Sequence, residues 1–216
     1  MQFPGSNCDR DTYHVLRINL NLDAKLIWHN DFDGAFDAVI LPGGFSFGDH
    51  LRGGIIAAYS PATKAICKMA AEGKPVLGIC NGFQILIEAG LLPGALLRNT
   101  SLRFVCKWTN IRVETSNTAF TCAIGTGATM RMPIAHNEGR YFANDELLDR
   151  MEVNSRIVMK YVGDNPTGTS REIVAVANEN GNVVGMMPHP ERASSIALGG
   201  ADGMKIFESM LEWARC

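Results

Sequence analysis

Cys80 stands between two glycines in the run Gly78-Ile79-Cys80-Asn81-Gly82, with an apolar strand candidate before it (Pro75 to Ile79) and a helix candidate after it (Asn81 to Ala89). A thiol with glycines at i−2 and i+2 fits a tight strand-to-helix turn, which displays a nucleophile above a sheet edge. Side chains in place of those glycines would collide with the strand or the helix as the backbone reverses. The helix that starts there turns its positive end toward the sulfur and favours a thiolate. The plain alternative is a buried structural cysteine, since free cysteines are among the most buried residues.

A second constellation is Met187-Pro188-His189-Pro190-Glu191-Arg192. In an extended segment residues two apart project to the same side, so His189 and Glu191 would point together, with Pro190 fixing the backbone between them. A carboxylate beside an imidazole sets its tautomer and stabilises the imidazolium. Taken alone, the pair fits a surface contact in a proline-rich turn better. Taken with the thiol elbow, it supplies the general base and orienter that a cysteine nucleophile needs. A third piece, Leu41 to Asp49, is glycine-rich and follows a strand candidate. It matches neither the dinucleotide fingerprint nor the lysine-bearing phosphate loop, so no nucleotide is expected there. Its Gly44 N–H, with the N–H of Asn81, would make a two-donor oxyanion hole. A simple tight turn accounts for the same residues. Cys8 also precedes a helix candidate and is a rival nucleophile, but no base and orienter lie beside it in sequence.

These residues need a scaffold, and the chain's 216 residues are long enough for one well-buried core and short for two. The expectation is one domain spanning residues 1–216. The net charge of −2 and the lack of a basic run give no reason to expect nucleic acid or an anionic membrane as partner. Six cysteines (Cys8, Cys67, Cys80, Cys106, Cys122 and Cys216) lie far apart with no C-x-x-C pair, and no histidine pattern suggests a metal. The N-terminus lacks a signal segment, and the greasiest region, Val76 to Leu97, is broken by Asn81, Gln84, Glu88 and Pro93. A cytoplasmic chain with reduced thiols is expected.

The first two-thirds alternate helix and strand signals. Helices are expected at Asp9–Leu22 and Pro61–Glu72, the latter with Ser60 as N-cap, Gly73 as stop and a stripe of Ala62, Ala65, Ile66, Met69 and Ala70. Strand segments are expected at Lys25–His29, Ala38–Leu41 and Pro75–Ile79. This alternation argues for an α/β fold, a mostly parallel sheet with helices on both faces. From Leu102 onward, strands at Phe104–Glu114, Met130–His136, Ile157–Val162, Ile173–Asn178 and Val183–Met187 should pair antiparallel as a small added sheet. A last helix, Asp202–Ala214, should bury Phe207, Met210, Leu211 and Ala214. Only Met1 to Phe3 precede the first loop, where a doubly wound sheet needs a full strand. The first strand therefore reads as truncated, through a start codon placed too late rather than a sheet short of one central strand, whose loss would forfeit several kcal/mol of apolar burial.

Together, Pro42-Gly43-Gly44, the G-x-C-x-G-x-Q run at 78–84 and His189-Pro190-Glu191 resemble the triad-type (class I) glutamine amidotransferases. Further stretches narrow the match: residues 3–9, 41–49, 77–97, Pro133 to His136 and 185–193. They resemble the glutaminase subunits of phosphoribosylformylglycinamidine synthase, with Cys80-Asn81-Gly82-Phe83-Gln84 the most specific. The likeness covers residue 3 to about 210, and is greater to the separate small subunit than to the domain fused into a single-chain synthase. Asn137 replaces a usual glycine, and His50 and Gly53 are smaller departures.

The resemblance implies a flavodoxin-like class I amidotransferase fold. It implies that Cys80, His189 and Glu191 hydrolyse glutamine to glutamate and ammonia through a thioester on Cys80. It makes Gly44 and Asn81 the oxyanion donors and Gln84 a substrate contact, although a buried structural amide serves Gln84 comparably well. It implies two partners, a large synthase subunit that uses ATP, with a small bridging subunit beside it. Ammonia would then convert formylglycinamide ribonucleotide to the amidine in purine biosynthesis. ATP and Mg²⁺ would belong to the synthase, with no cofactor bound by this chain. The competing readings are a γ-glutamyl hydrolase-like cysteine peptidase and a non-catalytic assembly subunit.

Overall fold

Three short parallel strands hold the site: β1 (Val39–Leu41), β2 (Val76–Ile79) and β9 (Val183–Met186), every residue of which is buried. The computed structural model describes residues 1–215, so Cys216 lies outside the described residues. Burial on both faces explains why these strands read as unbroken apolar runs rather than alternating ones. The intervening strands are β3 (Ala95–Leu97), β4 (Val105–Val113), β5 (Thr129–His136), β6 (Arg140–Phe142), β7 (Ile157–Tyr161) and β8 (Ile173–Ala177).

The main sheet has seven strands in the order β1-β2-β9-β8-β7-β4-β5, parallel across β1, β2 and β9 and antiparallel beyond. The expected alternation of strand and helix is present, and the later strands pair antiparallel as expected except at Val183–Met187, which lies parallel to β2 and antiparallel only to β8. The later strands, however, continue the main sheet instead of forming an added one. The small separate sheet is β3–β6, antiparallel and three residues long on each side. Sequence reading missed both of its strands, because three residues carry too little periodicity.

The helices are α1 (Asp9–His14), α2 (Ile55–Ala58), α3 (Pro61–Ala71), α4 (Asn81–Glu88), α5 (Asp145–Val153) and α6 (Met204–Trp213). The first expected helix ends early, because Val15–Asn19 is a π-helical turn. In α3, Ser60 takes an extended N-cap backbone, yet its hydroxyl is buried without a partner and makes no capping bond. Asn144 does cap α5, accepting from the Leu147 N–H at 2.9 Å. In α6 the buried face is Ile206, Phe207, Ser209 and Met210, while Ala214 lies past the helix end and is exposed. Among the described residues no helix is long and apolar enough to cross a membrane, and the five described cysteines are free thiols.

Lys25–His29 is not a strand. Met1 to Phe3 lie between that segment and β1: the Gln2 N–H donates to Ile27 O at 2.8 Å and the His29 N–H to Gln2 O at 2.9 Å. The α-amino group of Met1 donates to Ile40 O at 2.9 Å. A cavity of about 110 Å³ adjoins this segment, with Met1, Ile27, Phe36 and Ile40 in its wall.

Candidate active site

The carboxyl ends of β2 and β9 lie side by side, with Ile79 opposite Met186 in the parallel register. Such strand ends are where ligands bind in open α/β sheets. Immediately after β2 the chain reverses at Cys80, whose φ of 50° and ψ of −103° are strained for an L-residue. Close packing enforces that bend. A Cβ on Gly78 would lie 2.6 Å from the Gly82 carbonyl oxygen, and one on Gly82 would lie 2.1 Å from that of Leu41. The Cys80 N–H donates to Met186 O at 2.7 Å, tying the bend to β9. The Cys80 sulfur lies 3.8 Å from the carbonyl oxygen of Ala135 and is buried.

Three residues beyond β9 the His189 N–H donates to Pro133 O of β5 at 2.9 Å. Glu191 does not reach the imidazole along an extended segment, as the sequence suggested. Residues Pro190–Ala193 form a 3₁₀ turn, and this turn brings Glu191 Oε1 to 2.6 Å from His189 Nδ1. The turn is held by the Ser194 hydroxyl, which donates to Glu191 O at 2.9 Å. The start of α6 closes over it: a Cβ on Gly203 would lie 2.1 Å from Pro190 O. Both side chains are buried, so the surface-contact reading falls.

Burial works against an imidazolium at His189. The Glu191 carboxylate and the neighbouring Cys80 and Cys8 sulfurs outweigh it and hold the ring well above the ordinary histidine range. With Nδ1 committed to Glu191, Nε2 has no partner of its own and is free for a reacting group. A second histidine, His136 at the end of β5, is pushed down to about 3 by burial and by the charge on His189. It is therefore neutral. The two rings divide the protonation states between them.

On the other side of Cys80 the Gly44 loop runs against residues 5–7, where the Phe45 N–H donates to Gly5 O at 3.1 Å. The Gly44 N–H finds no acceptor among the described residues, and the Asn81 N–H precedes the hydrogen-bond ladder of α4. Both donors are available to an anion. The Asn81 side chain works elsewhere. Its Oδ1 accepts from the Ser46 N–H at 3.1 Å, and its Nδ2 donates to Asp49 Oδ1 at 3.2 Å and to Gln84 Oε1 at 2.8 Å.

Gln84 in turn donates to Glu138 O at 2.8 Å, and a Cβ on Gly53 would lie 2.4 Å from its Oε1. Both ends of the Gln84 amide are thus engaged inside the protein. Sequence reasoning missed Asp49 and Glu138 in this mesh. Burial, then the Glu138 carboxylate, push Asp49 up to about 6, with the Asn81 amide acting the other way. Cys8, the rival nucleophile, has its sulfur within 4.8 Å of a His189 ring nitrogen and a Glu191 oxygen rather than at a second site.

The arrangement can present a buried sulfur to an electrophilic carbon, hold an anion on two N–H groups, and move a proton through an imidazole fixed at its far nitrogen. Acyl transfer to cysteine is the chemistry that needs all three.

Comparison with known proteins points the same way. Residues 1–214 match the CobB/CobQ-like glutamine amidotransferase domain. The phosphoribosylformylglycinamidine synthase subunit PurQ of Trichormus variabilis is 50% identical over 211 residues, covering 97% of this chain and 94% of that protein. The PurQ subunit of a Nostoc species matches equally. A chain in the structure of PurLQS from Thermotoga maritima superposes with a TM-score of 0.90 at 47% identity, covering 98% of this chain and 95% of that one. A more distant likeness, to a glutamine amidotransferase from Thermotoga maritima (TM-score 0.59, 15% identity, 95% and 92% coverage), extends the fold alone. On its sequence and on its fold, the chain belongs to the CobB/CobQ-like glutamine amidotransferases and, within them, to the PurQ family.

Proposed function

We propose that this chain hydrolyses glutamine as the glutaminase subunit of phosphoribosylformylglycinamidine synthase. The Cys80 sulfur attacks the side-chain amide carbon of glutamine, and the carbonyl oxygen becomes an oxyanion held by the N–H groups of Gly44 and Asn81. Each such donor contributes on the order of 3 kcal/mol in comparable sites. The His189 imidazolium gives its proton to the departing nitrogen as the C–N bond breaks, leaving a γ-glutamyl thioester and ammonia. The same imidazole then takes a proton from water as water adds to the thioester carbon; the C–S bond breaks, the Cys80 thiolate returns beside the imidazolium, and glutamate leaves. Glu191 keeps Nδ1 protonated and the ring oriented. Gln84 braces the elbow, and a contact to glutamine through its remaining hydrogen-bonding capacity belongs to the same reading.

Ammonia in water near neutral pH is mostly ammonium, which is not a nucleophile. A closed path to a partner follows from that chemistry. The partners are a large synthase subunit, which supplies ATP and Mg²⁺ and amidates formylglycinamide ribonucleotide, and a small bridging subunit. The compartment is the cytoplasm. One observation carries the reading: the Cys80 sulfur, at a strained elbow, is a neighbour of a buried imidazole and favours its charged form, and that ring's Nδ1 is fixed by a carboxylate at 2.6 Å.

The test is reconstitution with the synthase and bridging subunits. Cys80→Ala should abolish amidine formation from glutamine, by 10³-fold or more in order of magnitude, and leave formation from ammonium salts unchanged. Glutamate release should rise when synthase, ATP and ribonucleotide are all present. Glutamine-dependent synthesis that survives Cys80→Ala would overturn the proposal. Turnover of polyglutamyl peptides in place of glutamine would favour the peptidase reading.

A further inference from the structure

Cys8 is a free thiol, 1% exposed, that the proposed reaction leaves without a task. Its surroundings are specific. The Cys8 S–H donates to Asn7 Oδ1 at 3.2 Å, and its sulfur accepts from Arg192 Nη2 at 2.9 Å. Cys8 Sγ, a ring nitrogen of His189 and a carboxylate oxygen of Glu191 all lie within 4.8 Å of one another. Gly43 fills the remaining gap: a Cβ there would sit 2.7 Å from His189 Cε1 and 3.2 Å from the Cys8 sulfur. Arg192 Nε also lies 3.8 Å from Glu191 Oε1. The Cys8 backbone reaches the other half of the site, its N–H donating to Gly43 O at 3.3 Å. The adjacent Ser6 bridges to Gly44.

We infer that Cys8 and Arg192 form a positioning pair: their sulfur–guanidinium contact fixes the back of the His189–Glu191 dyad and links it to the Gly43–Gly44 loop. This rests on the glutaminase reading above. A buried ring with one free nitrogen must be held against rotation and recoil while it exchanges protons, and a misplacement of about 1 Å can cost roughly 100-fold in rate. Three elements grip the dyad. The 190–193 turn supplies Glu191, β5 accepts from the His189 backbone through Pro133, and the 4–8 loop closes the third side through Cys8. The groups facing His189 are Glu191 and Arg192 from its own turn, Cys80 from the elbow, His136 from β5 and Cys8 from the N-terminal loop. Of these, the Cys8 sulfur belongs to the set that favours the imidazolium. A serine at position 8 keeps one donor and one acceptor there, whereas an alanine keeps neither.

The experiment uses the full chain, alone and in the reconstituted complex. Cys8→Ala should lower kcat by about tenfold to hundredfold with the KM for glutamine within about twofold, and shift the alkaline limb of the kcat profile to lower pH. Cys8→Ser should recover most of the rate. Arg192→Gln should lower kcat as well, and Arg192→Lys less so. Site-resolved alkylation of Cys80 by iodoacetamide at pH 7 should slow severalfold in Cys8→Ala, a readout that needs no glutamine turnover. Unchanged kcat, alkaline limb and alkylation rate in Cys8→Ala would overturn the inference, as would a rise in KM alone. If the unsubstituted complex releases no glutamate, the glutaminase reading fails. The alkylation rates still decide this one.

Discussion

The two flanks of Cys80 are built differently. On one side the His189 and Glu191 side chains are 2% and 0% exposed, and one contact of 2.6 Å commits the ring. On the other, Asn81, Gln84, Asp49 and Glu138 form a mesh of longer contacts. Two carboxylates in it repel each other, and Asp49 is only half-buried. That mesh holds a loop in which Phe47, Asp49 and Leu51 have φ of 52°, 52° and 70°, conformations that cost non-glycine residues of order 1 kcal/mol each. In the proposed reaction the dry flank must carry a defined charge through each proton transfer, and its surroundings leave one protonation state favoured. The other flank supplies neutral backbone donors, whose chemistry does not depend on titration. It can therefore tolerate a carboxylate, Asp49, that burial pushes up to about 6.

The sharpest way to break that comparison is at Glu191. Glu191→Gln preserves volume and removes the charge that favours the imidazolium, with a side chain able to stabilise the wrong tautomer. The expected loss is on the order of 10³-fold in kcat, with the KM for glutamine little changed. The sign of the pH effect follows from the cause. Glu191 raises the His189 pKa, so without its carboxylate the ring gives up its proton at lower pH and the alkaline limb of kcat moves down. A kcat within threefold of the parent would show that the dry flank is packing and not machinery.

Much of the dry flank was legible in the sequence because its requirements are local. Gly78 and Gly82 are spaced by the reversal itself, and His189 and Glu191 are two residues apart. What proved non-local was how the pair forms, since Pro190 begins a turn that only packing against Gly203 and β5 explains. The other flank was mostly illegible: Asp49, Gln84 and Glu138 come from three elements, and no spacing reports that their side chains meet. The same applies to Cys8 and Arg192, 184 residues apart. Some misses had a signal. Asn144, followed by Asp145 and Glu146 and then Leu147, Leu148 and Met151, is a capped amphipathic helix start. The parallel pairing of β1 with β2 and the placement of α3 and α4 were readable from alternation. That the antiparallel strands extend the same sheet depends on β8 and β9 meeting edge to edge, a tertiary fact.

Gly82 lies where the two flanks share a backbone. In Gly82→Ala the new methyl would meet the Leu41 carbonyl at 2.1 Å, backbone against backbone, so α4 must shift away from β1. An overpacked contact of this kind costs about 3 kcal/mol. For a chain of this size that lowers the melting temperature by roughly 6–12 °C. Because Asn81 precedes Gly82, the proposed oxyanion donor moves too, and both flanks should lose function together. Full stability with intact activity would mean that the elbow accommodates the methyl, and the enforced strain at Cys80 would lose its explanation.

The smallest effect belongs to the open flank and sharpens the contrast by its sign. Asp49 is held at about 6 in the folded chain against an ordinary 3.8. A raised carboxylate pKa means that the native state binds the proton more tightly than the unfolded state. This group's cost to stability is therefore absent below pH 3.8, grows as the pH rises through 6, and is constant above. Asp49→Asn removes the ionisation and keeps an oxygen for the Asn81 amide to donate to. Discounted for solvent screening at a half-buried site, it should stabilise the chain by about 1 kcal/mol at pH 7.5 and by nothing near pH 4. Urea unfolding at the two pH values measures the difference directly. A gain that is equal at both, or larger in acid, would mean that Asp49 carries its charge without cost, and the open flank would then be tuned as tightly as the one that holds His189.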